Sequence, residues 1–482
     1  MKDHPLWTTE AMASAMRARR QGALPDAAHG LSIDSRSIGP GEAFFAIKGD
    51  SRDGHAFVRA ALDAGAALAV VAADKREQFS NDSPLLIVPD VLEGLRDLAR
   101  AARARSNAKV IGITGSVGKT GTKEALRLAL SPEGETHASV ASYNNHWGVP
   151  LSLARCPETA HFAIFEMGMS HPGEIEPLTR LVRPHVAIVT TVEPVHLEFF
   201  PSLEAIADAK SEIFLGLEPG GAAVINHDNP HYARLRRKAK AAGVARVVSF
   251  GAHEAADARL LKFSLHPDCS TAHASILGAE VTYKLGAPGY HLVINSLAVL
   301  AAVALVGGDL ALAALALAEQ KPAAGRGARV TLGLPGGATA LLIDESYNAN
   351  PASMRAALAL LGKAALGLRG RRIAVLGDML ELGGKGPALH RELAEAVLAN
   401  GVDLVFCSGP LMQELWQALP SERRGGYAET AAALESSLLA VVRPGDAIMI
   451  KGSLGSRMGP LVKALERRYP WHVTREEAPA QG

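Results

Sequence analysis

The sequence predicts an α/β protein with three domains, and three observations lead to this fold class. The chain has 482 residues, which corresponds to about three domains of ordinary size. Hydrophobic residues make up 48% of the chain, so each domain can bury a core of its own. Short apolar runs alternate with helix-forming stretches along the whole length. This alternation is typical of mostly parallel sheets that are covered by helices on both faces.

The first two domains are predicted from their strand-like runs. Residues 1–107 are expected to form a smaller N-terminal α/β domain, with strands near 43–47, 67–71 and 85–88 and a helix over 91–106. Residues 108–322 are expected to form a central domain of the P-loop type with a mostly parallel sheet. Its apolar runs lie at 108–113, 162–165, 186–189, 222–225 and 247–250.

The third domain, residues 323–482, is predicted to be Rossmann-like. A stretch rich in glycine, proline and basic residues at 321–327 indicates a linker before it. Strands are expected at 341–343, 373–376, 404–406 and 447–450, and helices at 351–366, 388–399 and 431–441. No glycine-rich dinucleotide fingerprint accompanies them, so a nicotinamide cofactor is not expected.

Composition limits the possible partners and the compartment. The net charge is +1, from 50 basic and 49 acidic residues, so no nucleic-acid or anionic-membrane partner is expected. Three widely spaced cysteines and an N-terminus without an apolar signal core predict a cytoplasmic protein. The most apolar region, 297–318, is interrupted by Gly307-Gly308-Asp309, which favours two packed helices over a membrane span.

The most informative stretch is Gly112-Ile-Thr-Gly-Ser-Val-Gly-Lys-Thr120, a glycine-rich loop between an apolar run and a helix-forming run. A strand, a tight turn and a helix N-terminus present backbone N–H groups and partial positive charge to one point, which favours phosphate binding. Lys119 can reach a terminal phosphate, and the Thr120 hydroxyl can ligate magnesium. The strict P-loop has glycine where this chain has Ile113. An ordinary turn with a surface lysine is the alternative.

Polar residues follow the next strands of the central domain. Glu166 comes directly after the run 162–165, and His196 lies a few residues after 186–189. Ligands gather at the carboxyl ends of strands in open α/β sheets, so a carboxylate there suits magnesium coordination. The alternatives are a capping or salt-bridging glutamate and an ordinary loop histidine.

Lys210 lies in the apolar stripe of a helix predicted over 202–217, four residues after Ile206 and three before Ile213. A lysine on an inward face must find an anion, lose its proton or extend along its stem to solvent. Desolvation lowers the pKa of a lysine, and a neutral amine can react with carbon dioxide. The carbamate that results is an anion able to bind magnesium.

The third domain offers a polar cluster, Asp344-Glu-Ser-Tyr-Asn-Ala-Asn-Pro351, at the end of a strand. Asp344 and Asn348 are candidates for a binding site, although capping of the helix that follows would also account for them. Arg326, in the linker, can bridge phosphate groups between domains, and a solvated linker arginine is the alternative.

Taken together, these motifs resemble a known family. The resemblance covers nearly the whole chain, and the ordered motifs are Asp34-Ser-Arg36, Thr114-Gly-Ser-Val-Gly-Lys-Thr120, Asn144-Asn-His-Trp-Gly-Val-Pro150, Glu166-Met-Gly168, His196, Ala209-Lys-Ser-Glu-Ile-Phe214, Asp344-Glu-Ser-Tyr-Asn-Ala-Asn-Pro351 and Leu376-Gly-Asp-Met-Leu-Glu-Leu-Gly383. The set is similar to the Mur ligases of peptidoglycan synthesis. Two of the motifs resemble the versions in the member that adds D-alanyl-D-alanine. The chain departs from the family pattern before His196, at 191–194, and at Leu292.

The resemblance implies ATP and Mg²⁺ as cofactors, and UDP-MurNAc-tripeptide and D-alanyl-D-alanine as substrates of a monomeric ligase. It implies catalytic roles for Lys119, Glu166, His196 and Lys210, and metal ligation by Thr120, Glu166, His196 and a carbamylated Lys210. The implied nucleotide-binding residues are Gly115, Ser116, Val117, Gly118, Lys119, Thr120, Gly121, Asn295, Arg326, Asp344, Tyr347 and Asn348. The implied substrate-binding residues are Ser35, Arg36, Lys48, Asn145 and His146.

Other functions remain open at this point. A sister ligase that forms the tripeptide, or a folylpolyglutamate synthase, would share the central domain. No Asp-Asn-Pro-Arg element for a diamino acid occurs in the sequence, which argues against the tripeptide-forming ligase. From a different class, a P-loop switch ATPase would hydrolyse ATP without an amine substrate.

Overall fold

The computed structural model describes residues 5–49, 52–140, 143–195, 197–266, 268–321 and 325–471. It confirms the α/β class, because its main sheets are predominantly parallel and helices pack on their faces.

The N-terminal elements build a sheet with the strand order β2-β7-β6-β5-β4, in which β2 alone among the described strands of the sheet is antiparallel to its neighbour. Strands β1 and β3 form a separate antiparallel pair. The elements are β1 Trp7–Thr8, α1 Thr9–Met16, β2 Arg19–Gln21, β3 Ala27–Ala28, β4 Gly30–Ser32, β5 Glu42–Phe45, α2 Val58–Asp63, β6 Leu68–Ala72, β7 Leu85–Val88 and α3 Val91–Arg105.

The central elements form a sheet in the order β16-β15-β14-β13-β12-β11-β8-β10-β9. The strands from β9 to β14 in this order are parallel, and β15 and β16 continue the sheet in antiparallel fashion. The elements are β8 Lys109–Thr114, α4 Lys119–Leu130, β9 Thr136–Ala138, α5 Gly148–Ala154, β10 Phe162–Glu166, α6 Ile175–Val182, β11 Val186–Val189, α7 Leu203–Ser211, β12 Ala222–Asn226, α8 Tyr232–Ala241, β13 Arg246–Gly251, β14 Ala258–Leu265, β15 Ser270–Ile276, β16 Ala279–Leu285, α9 Tyr290–Leu305 and α10 Leu310–Ala316.

The C-terminal elements form a sheet in the order β17-β18-β22-β19-β20-β21, parallel except for β17. They are β17 Ala328–Gly333, β18 Thr339–Glu345, α11 Pro351–Gly362, β19 Arg372–Gly377, α12 Gly386–Arg391, α13 Leu393–Ala399, β20 Leu404–Ser408, α14 Met412–Ala418, β21 Arg424–Ala428, α15 Ala431–Val441, β22 Ala447–Lys451 and α16 Gly459–Arg468.

Strand β8 occupies the switch point of the central sheet. The next strands of the chain, β9 and β10, lie on one side of β8, and β11 to β14 lie on the other. Helices on either side of such a strand leave its carboxyl end open, and ligands of doubly wound sheets bind at this crevice. The glycine-rich loop follows β8 directly and therefore stands at this position.

Several elements differ from the sequence prediction. Strands β14–β16 were not predicted, because exposed and partly exposed residues interrupt their buried positions and leave no continuous apolar run. The helix predicted over 202–217 ends at Ser211 and continues as a 3₁₀ turn. Its last residue, Gly216, lies so close to the chain that an added Cβ would be 2.2 Å from the Thr179 carbonyl oxygen. The helix predicted over 388–399 is interrupted at Glu392.

The N-terminal and central elements meet at a seam, an interface in which side chains donate hydrogen bonds mainly to main-chain oxygens. Trp7 Nε1 donates to the carbonyl of Ala154 at 2.9 Å, and Arg155 Nε donates to that of Leu31 at 2.7 Å. Arg103 Nε donates to the carbonyl of Val182 at 2.8 Å. One continuous group of buried apolar side chains includes members from both sets of elements. These elements are therefore packed together through one core.

The apolar region 297–318 folds as predicted into two helices, α9 and α10, which pack against the central sheet. Searched over its described ranges, the chain contains no helix with the length and apolar character needed to cross a bilayer.

A buried histidine fixes the loop that follows β19. His390 is fully buried; its Nε2 accepts a hydrogen bond from the Met379 amide at 2.9 Å, and its Nδ1 contacts the Gly386 carbonyl at 2.7 Å. Only the neutral ring can accept and donate in this way. Burial lowers the pKa of His390, so the fold holds the ring without its second proton.

We expect this loop to open as the pH falls. The lowered pKa of His390 means that the unfolded chain takes up a proton below about pH 6.5 while the folded chain resists it, so stability declines through that window. After correction for the pH dependence of the intrinsic exchange rate, the protection of peptides covering 378–391 against hydrogen–deuterium exchange should fall more between about pH 7.5 and about pH 5 in the wild type than in His390→Gln.

The same substitution should lower the local opening free energy at about pH 7.5 by ~1–3 kcal/mol, because the Met379 amide loses its acceptor. His171→Gln, at a half-exposed position outside this loop, is the matched control. Identical pH dependence in wild type and His390→Gln would contradict the prediction.

Candidate active site

The glycine-rich loop 115–118 connects β8 to α4, as predicted. Gly115 and Gly118 have φ values of 147° and 86°, and Gly118 is the N-cap of α4. A Cβ on Gly115 would lie 1.9 Å from Thr190 Oγ1. Glycine is required at 115 for this reason, whereas Ile113 lies inside β8 and is fully buried. The departure from the strict P-loop pattern is therefore compatible with a tight glycine turn.

Residues after β11 hold this loop in position. Thr190 Oγ1 donates to the Val117 carbonyl at 2.6 Å, and the Ser116 amide donates to the Thr191 carbonyl at 2.9 Å. Ser116 Oγ donates to the Glu193 carbonyl at 3.1 Å and accepts from the Glu193 amide at 2.9 Å. The segment that departs from the family pattern thus supports the phosphate loop through its backbone.

Lys119 begins α4 and folds over the loop. Its Nζ donates to the Gly115 carbonyl at 2.8 Å. Burial lowers the pKa of Lys119, Glu166 opposes this effect, and the charge of Arg326 adds to it. Arg326 belongs to the segment before β17, so the structure brings the predicted linker arginine to the phosphate loop.

Thr120 and Glu166 meet at the edge between α4 and β10. Thr120 Oγ1 donates to Glu166 Oε2 at 2.9 Å, and Asn144 Nδ2 donates to Glu166 Oε1 at 2.7 Å. Glu166 is 1% exposed. In these contacts Glu166 neither caps a helix nor forms a salt bridge. The alternatives of a capping and a salt-bridging glutamate therefore do not describe these contacts. Two hard oxygen donors lie side by side there.

Lys210 is 2% exposed on α7. Its terminal amino group therefore does not extend to solvent. The alternative of a lysine that extends along its stem to solvent is wrong. Burial lowers the pKa of Lys210 well below its ordinary value, and the nearby charge of Lys119 lowers it further. Among the described side chains, none forms an ion pair with Lys210. His196, the other predicted ligand on this side, lies outside the described residues.

The polar cluster of the third domain surrounds Arg326. The Arg326 guanidinium stacks over the Tyr347 ring at 4.3 Å from its centroid. Asp344 accepts from the Gly325 amide at 2.9 Å and from Ser346 Oγ at 2.6 Å. The cap of α11 is Asn350, which forms a capping box with Ser353. The alternative of Asp344 or Asn348 as the cap is therefore wrong.

Asn295 lies on α9 and approaches the loop from the other side. Its Nδ2 would be 2.6 Å from a Cβ on Gly118. The structure thus brings Asn295 together with the predicted phosphate-binding residues.

The predicted substrate-binding residues lie at two places. Ser35 and Arg36 follow β4, and Lys48 follows the neighbouring parallel strand β5. The hydrogen bond and charge of Arg36 lower the pKa of Asp34 to about 2. Asn145 Oδ1 accepts from the Gly148 amide at 2.9 Å at the start of α5. His146 lies against the Trp147 ring, which in turn contacts Gly49 beside Lys48.

The sequence prediction missed four residues near the site. Asn144 was in a quoted motif, yet its bond to Glu166 was not foreseen. Lys123, four residues after Lys119 on α4, is fully buried and donates to the Ser139 carbonyl at 2.5 Å. Lys451 ends β22 and pairs with Glu345 at 3.1 Å. The strand-end rule that identified Glu166 also applies to Lys451.

The fourth missed residue, His291, lies in the first turn of α9. It is exposed to solvent. The crowding of protein atoms around it lowers the pKa of His291, Glu345 opposes the shift, and Lys451 adds to it. The charges of two residues of the third domain thus act on a residue of α9.

Family models match three parts of the chain. The Mur ligase family, catalytic domain model matches residues 27–103, the Mur ligase middle domain model matches residues 113–303, and the Mur ligase, glutamate ligase domain model matches residues 333–454. Together with relatives of at least 31% identity over 90% of the chain, these matches define the class. The chain belongs to the Mur ligase family.

Within that family the chain is similar to one kind of member. Proteins named UDP-N-acetylmuramoyl-tripeptide–D-alanyl-D-alanine ligase match from Rickettsia prowazekii, with 31% identity over 90% of this chain and 94% of the relative, and from Escherichia coli, with 33% identity over 90% and 93%. A crystal structure of MurF from Acinetobacter baumannii has 28% identity and a TM-score of 0.82 over 96% of this chain and 99% of its own. MurF ligase from Thermotoga maritima in complex with ADP has 27% identity and a TM-score of 0.73 over 91% and 98%.

The close packing of the loop predicts the effect of one methyl group. Gly115→Ala would place a Cβ against Thr190 in a backbone conformation that side chains rarely adopt. We expect ATP-dependent turnover to fall on the order of a hundredfold, because the loop must shift to relieve the clash. Calorimetric titration with an ATP analogue should show weaker binding.

Gly459→Ala is the matched control for this variant. The nearest atom to a Cβ there, Ser346 Oγ, is 3.6 Å away, and no positive φ is required. It should bind the analogue like the wild type. Unchanged binding and turnover in Gly115→Ala would contradict the prediction.

Proposed function

We propose that this chain is an ATP-dependent amide ligase that joins D-alanyl-D-alanine to UDP-N-acetylmuramoyl-tripeptide. The product is the UDP-MurNAc-pentapeptide of peptidoglycan synthesis. The observation that carries the proposal is the convergence of Lys119, Lys210 and Arg326 on the carboxyl end of β8, beside Thr120 and Glu166. The similarity to ligases with this name, over nine-tenths of the chain, supports the choice of substrates.

The nucleotide site that we propose is built from two domains. The backbone of residues 115–121 and Lys119 hold the phosphates, and Asn295 lies close to Gly118. From the third domain, Arg326 faces the phosphates, while Tyr347 stacks against its guanidinium. Asp344 and Asn348 order the chain around them, because Asp344 binds the amide of Gly325 and Asn348 accepts from Lys451 at its carbonyl.

Thr120 and Glu166 fit a magnesium ion, since both contribute hard oxygen atoms and lie 2.9 Å apart. Magnesium bound there would neutralise negative charge on the transferred phosphoryl group. Asn144 orients the Glu166 carboxylate from its other side. We propose that His196 and a modified Lys210 serve a second magnesium.

The modification of Lys210 follows from its environment. Because burial and Lys119 lower its pKa, the amine is available in its neutral form. Reaction of this nitrogen with carbon dioxide forms an N–C bond and releases one proton. The product is a carbamate, and its negative charge offsets the positive charge of Lys119 and of bound metal.

The proposed reaction has two steps. A carboxylate is a poor acyl donor because its leaving group would be oxide, so the peptide carboxylate first accepts the γ-phosphoryl group of ATP to form an acyl phosphate. Lys119 and Arg326 stabilise the charge of the transferred group. The neutral amine of D-alanyl-D-alanine then attacks the acyl carbon, the new N–C bond forms, the C–O bond to phosphate breaks, and the nitrogen loses one proton, which the released phosphate can carry.

The remaining assignments complete the proposal. We propose domains at 1–107, 108–322 and 323–482, since each main sheet draws its strands from one of these ranges. Ser35, Arg36, Lys48, Asn145 and His146 are proposed to bind the UDP-linked peptide. The contact between Trp147 and Gly49 supports one binding surface for Lys48, Asn145 and His146. A cytoplasmic location is proposed, because ATP and UDP-linked precursors are cytoplasmic compounds, and a monomer is proposed from the family resemblance.

One assay tests the function. Purified protein is incubated with ATP, Mg²⁺, UDP-MurNAc-tripeptide and D-alanyl-D-alanine, and the pentapeptide is detected by mass spectrometry. We expect phosphate release to require both the acceptor and the amine. Phosphate release without either would indicate a switch ATPase, and ligation of a different amino acid would indicate a sister ligase.

A lysine substitution tests the metal role of Lys210. We expect Lys210→Ala to lower turnover by about 10²–10³-fold, the usual cost of removing one preorganised electrostatic group. Short carboxylic acids should restore part of the activity by replacing the carbamate. Lys240→Ala, on the outer surface of α8, is the control and should keep full activity. Full activity in Lys210→Ala would reject the role.

A further inference from the structure

A cavity of about 600 Å³ lies between the central and C-terminal parts of the molecule. One wall is formed by Pro194 and residues 197–203, which lead into α7, and the other is formed by residues from 382 to 389. Its apolar lining includes Leu197, Phe199, Phe200, Leu203, Leu382 and Leu389. Apolar walls with a few charged groups are typical of small-molecule sites.

One wall of the cavity leads toward Lys210, and the two walls touch each other. Its central wall continues into the helix that carries Lys210. The two walls meet where the Glu198 amide donates to the Glu381 carbonyl at 3.4 Å. Gly383 approaches the same backbone, and a Cβ on it would lie 3.4 Å from the Glu198 Cα atom. A ligand in the cavity would therefore touch both domains, next to the N-terminus of α7.

Two opposite charges interrupt the apolar lining. Glu198 stands on the central wall and Lys385 on the C-terminal wall, and both are exposed to the cavity. A carboxylate and an ammonium on facing walls match a ligand that carries one positive and one negative end. A dipeptide in extended form spans about 7 Å between its ends, which a cavity of this size can hold.

We propose that this cavity receives D-alanyl-D-alanine, with Lys385 pairing its carboxylate, Glu198 its ammonium group, and the apolar walls its methyl groups. The inference rests on the proposed function and names the residues that select the amine substrate. Lys385 and Glu198 act in recognition: the first fixes the far end of the dipeptide, and the second directs the nitrogen toward the reaction centre.

A comparison of two amine substrates tests the role of Lys385. D-alanyl-D-alaninamide has the same shape as the dipeptide but no carboxylate. The wild type should prefer the acid over the amide in kcat/KM by about tenfold to a hundredfold, as expected for a charge-assisted hydrogen bond. In Lys385→Met the acid should lose this advantage, and the ratio of the two substrates should approach one.

The effect should be confined to one substrate. In Lys385→Met and in Glu198→Gln, the KM of D-alanyl-D-alanine should rise while the KM values of ATP and UDP-MurNAc-tripeptide stay as in the wild type. Lys463→Met and Glu395→Gln, which replace exposed residues of α16 and α13, are the matched controls. They should keep the wild-type preference for the acid.

Several outcomes would overturn the inference. If the KM of UDP-MurNAc-tripeptide rises and that of the dipeptide does not, the third residue of the peptide occupies the cavity. An unchanged ratio of acid to amide in Lys385→Met excludes the pairing with the carboxylate. Failure of the wild type to form any pentapeptide would reject the proposed function itself. The acid-to-amide ratio can be measured only when the wild type forms product, so failure of the proposed function and failure of this inference give different results.

Discussion

Accumulated positive charge at the carboxyl end of β8 is the constraint on which the rest of the site depends. The charges of Lys119 and Arg326, which come from different elements, act on each other through space, and Lys119 also lowers the pKa of the buried Lys210. The N-terminus of α4 adds its partial charge at the same place. Glu166 is the carboxylate that opposes them in the described part of this cluster. Such an arrangement favours anionic ligands, and phosphates satisfy it without any change of fold.

The same constraint explains why the loop is supported from outside. Backbone N–H groups that point to one position repel one another, so a loop of this kind needs contacts that hold it open. Thr190 and Glu193 supply them from the end of β11, and Asn295 supplies contact from α9. The support uses hydroxyl, amide and backbone groups rather than charges. It therefore leaves the electrostatic character of the loop unchanged.

Much of the fold and part of the site could be predicted from the sequence. The strong apolar runs placed β8, β10 and β11 within a residue of their observed bounds, because buried parallel strands need continuous apolar residues. The helical stripe placed Lys210 in the interior for the same reason. Strands β14–β16 were missed, because an antiparallel edge exposed on one face needs only half of its residues to be apolar. Contacts such as that of Lys123 with Ser139 depend on tertiary packing, which periodicity does not report. The roles of the individual site residues stay predictions.

The seam between the first two sets of elements has a consequence for how such proteins diversify. Trp7, Arg155 and Arg103 bind carbonyl oxygens of Ala154, Leu31 and Val182, and every residue type carries a carbonyl oxygen. Side chains on the accepting side can therefore change over generations without breaking the bond. These three bonds tolerate substitution on the accepting side and need no paired replacement there. An amino-terminal module held in this way can acquire new recognition residues while its orientation toward the catalytic sheet is inherited unaltered.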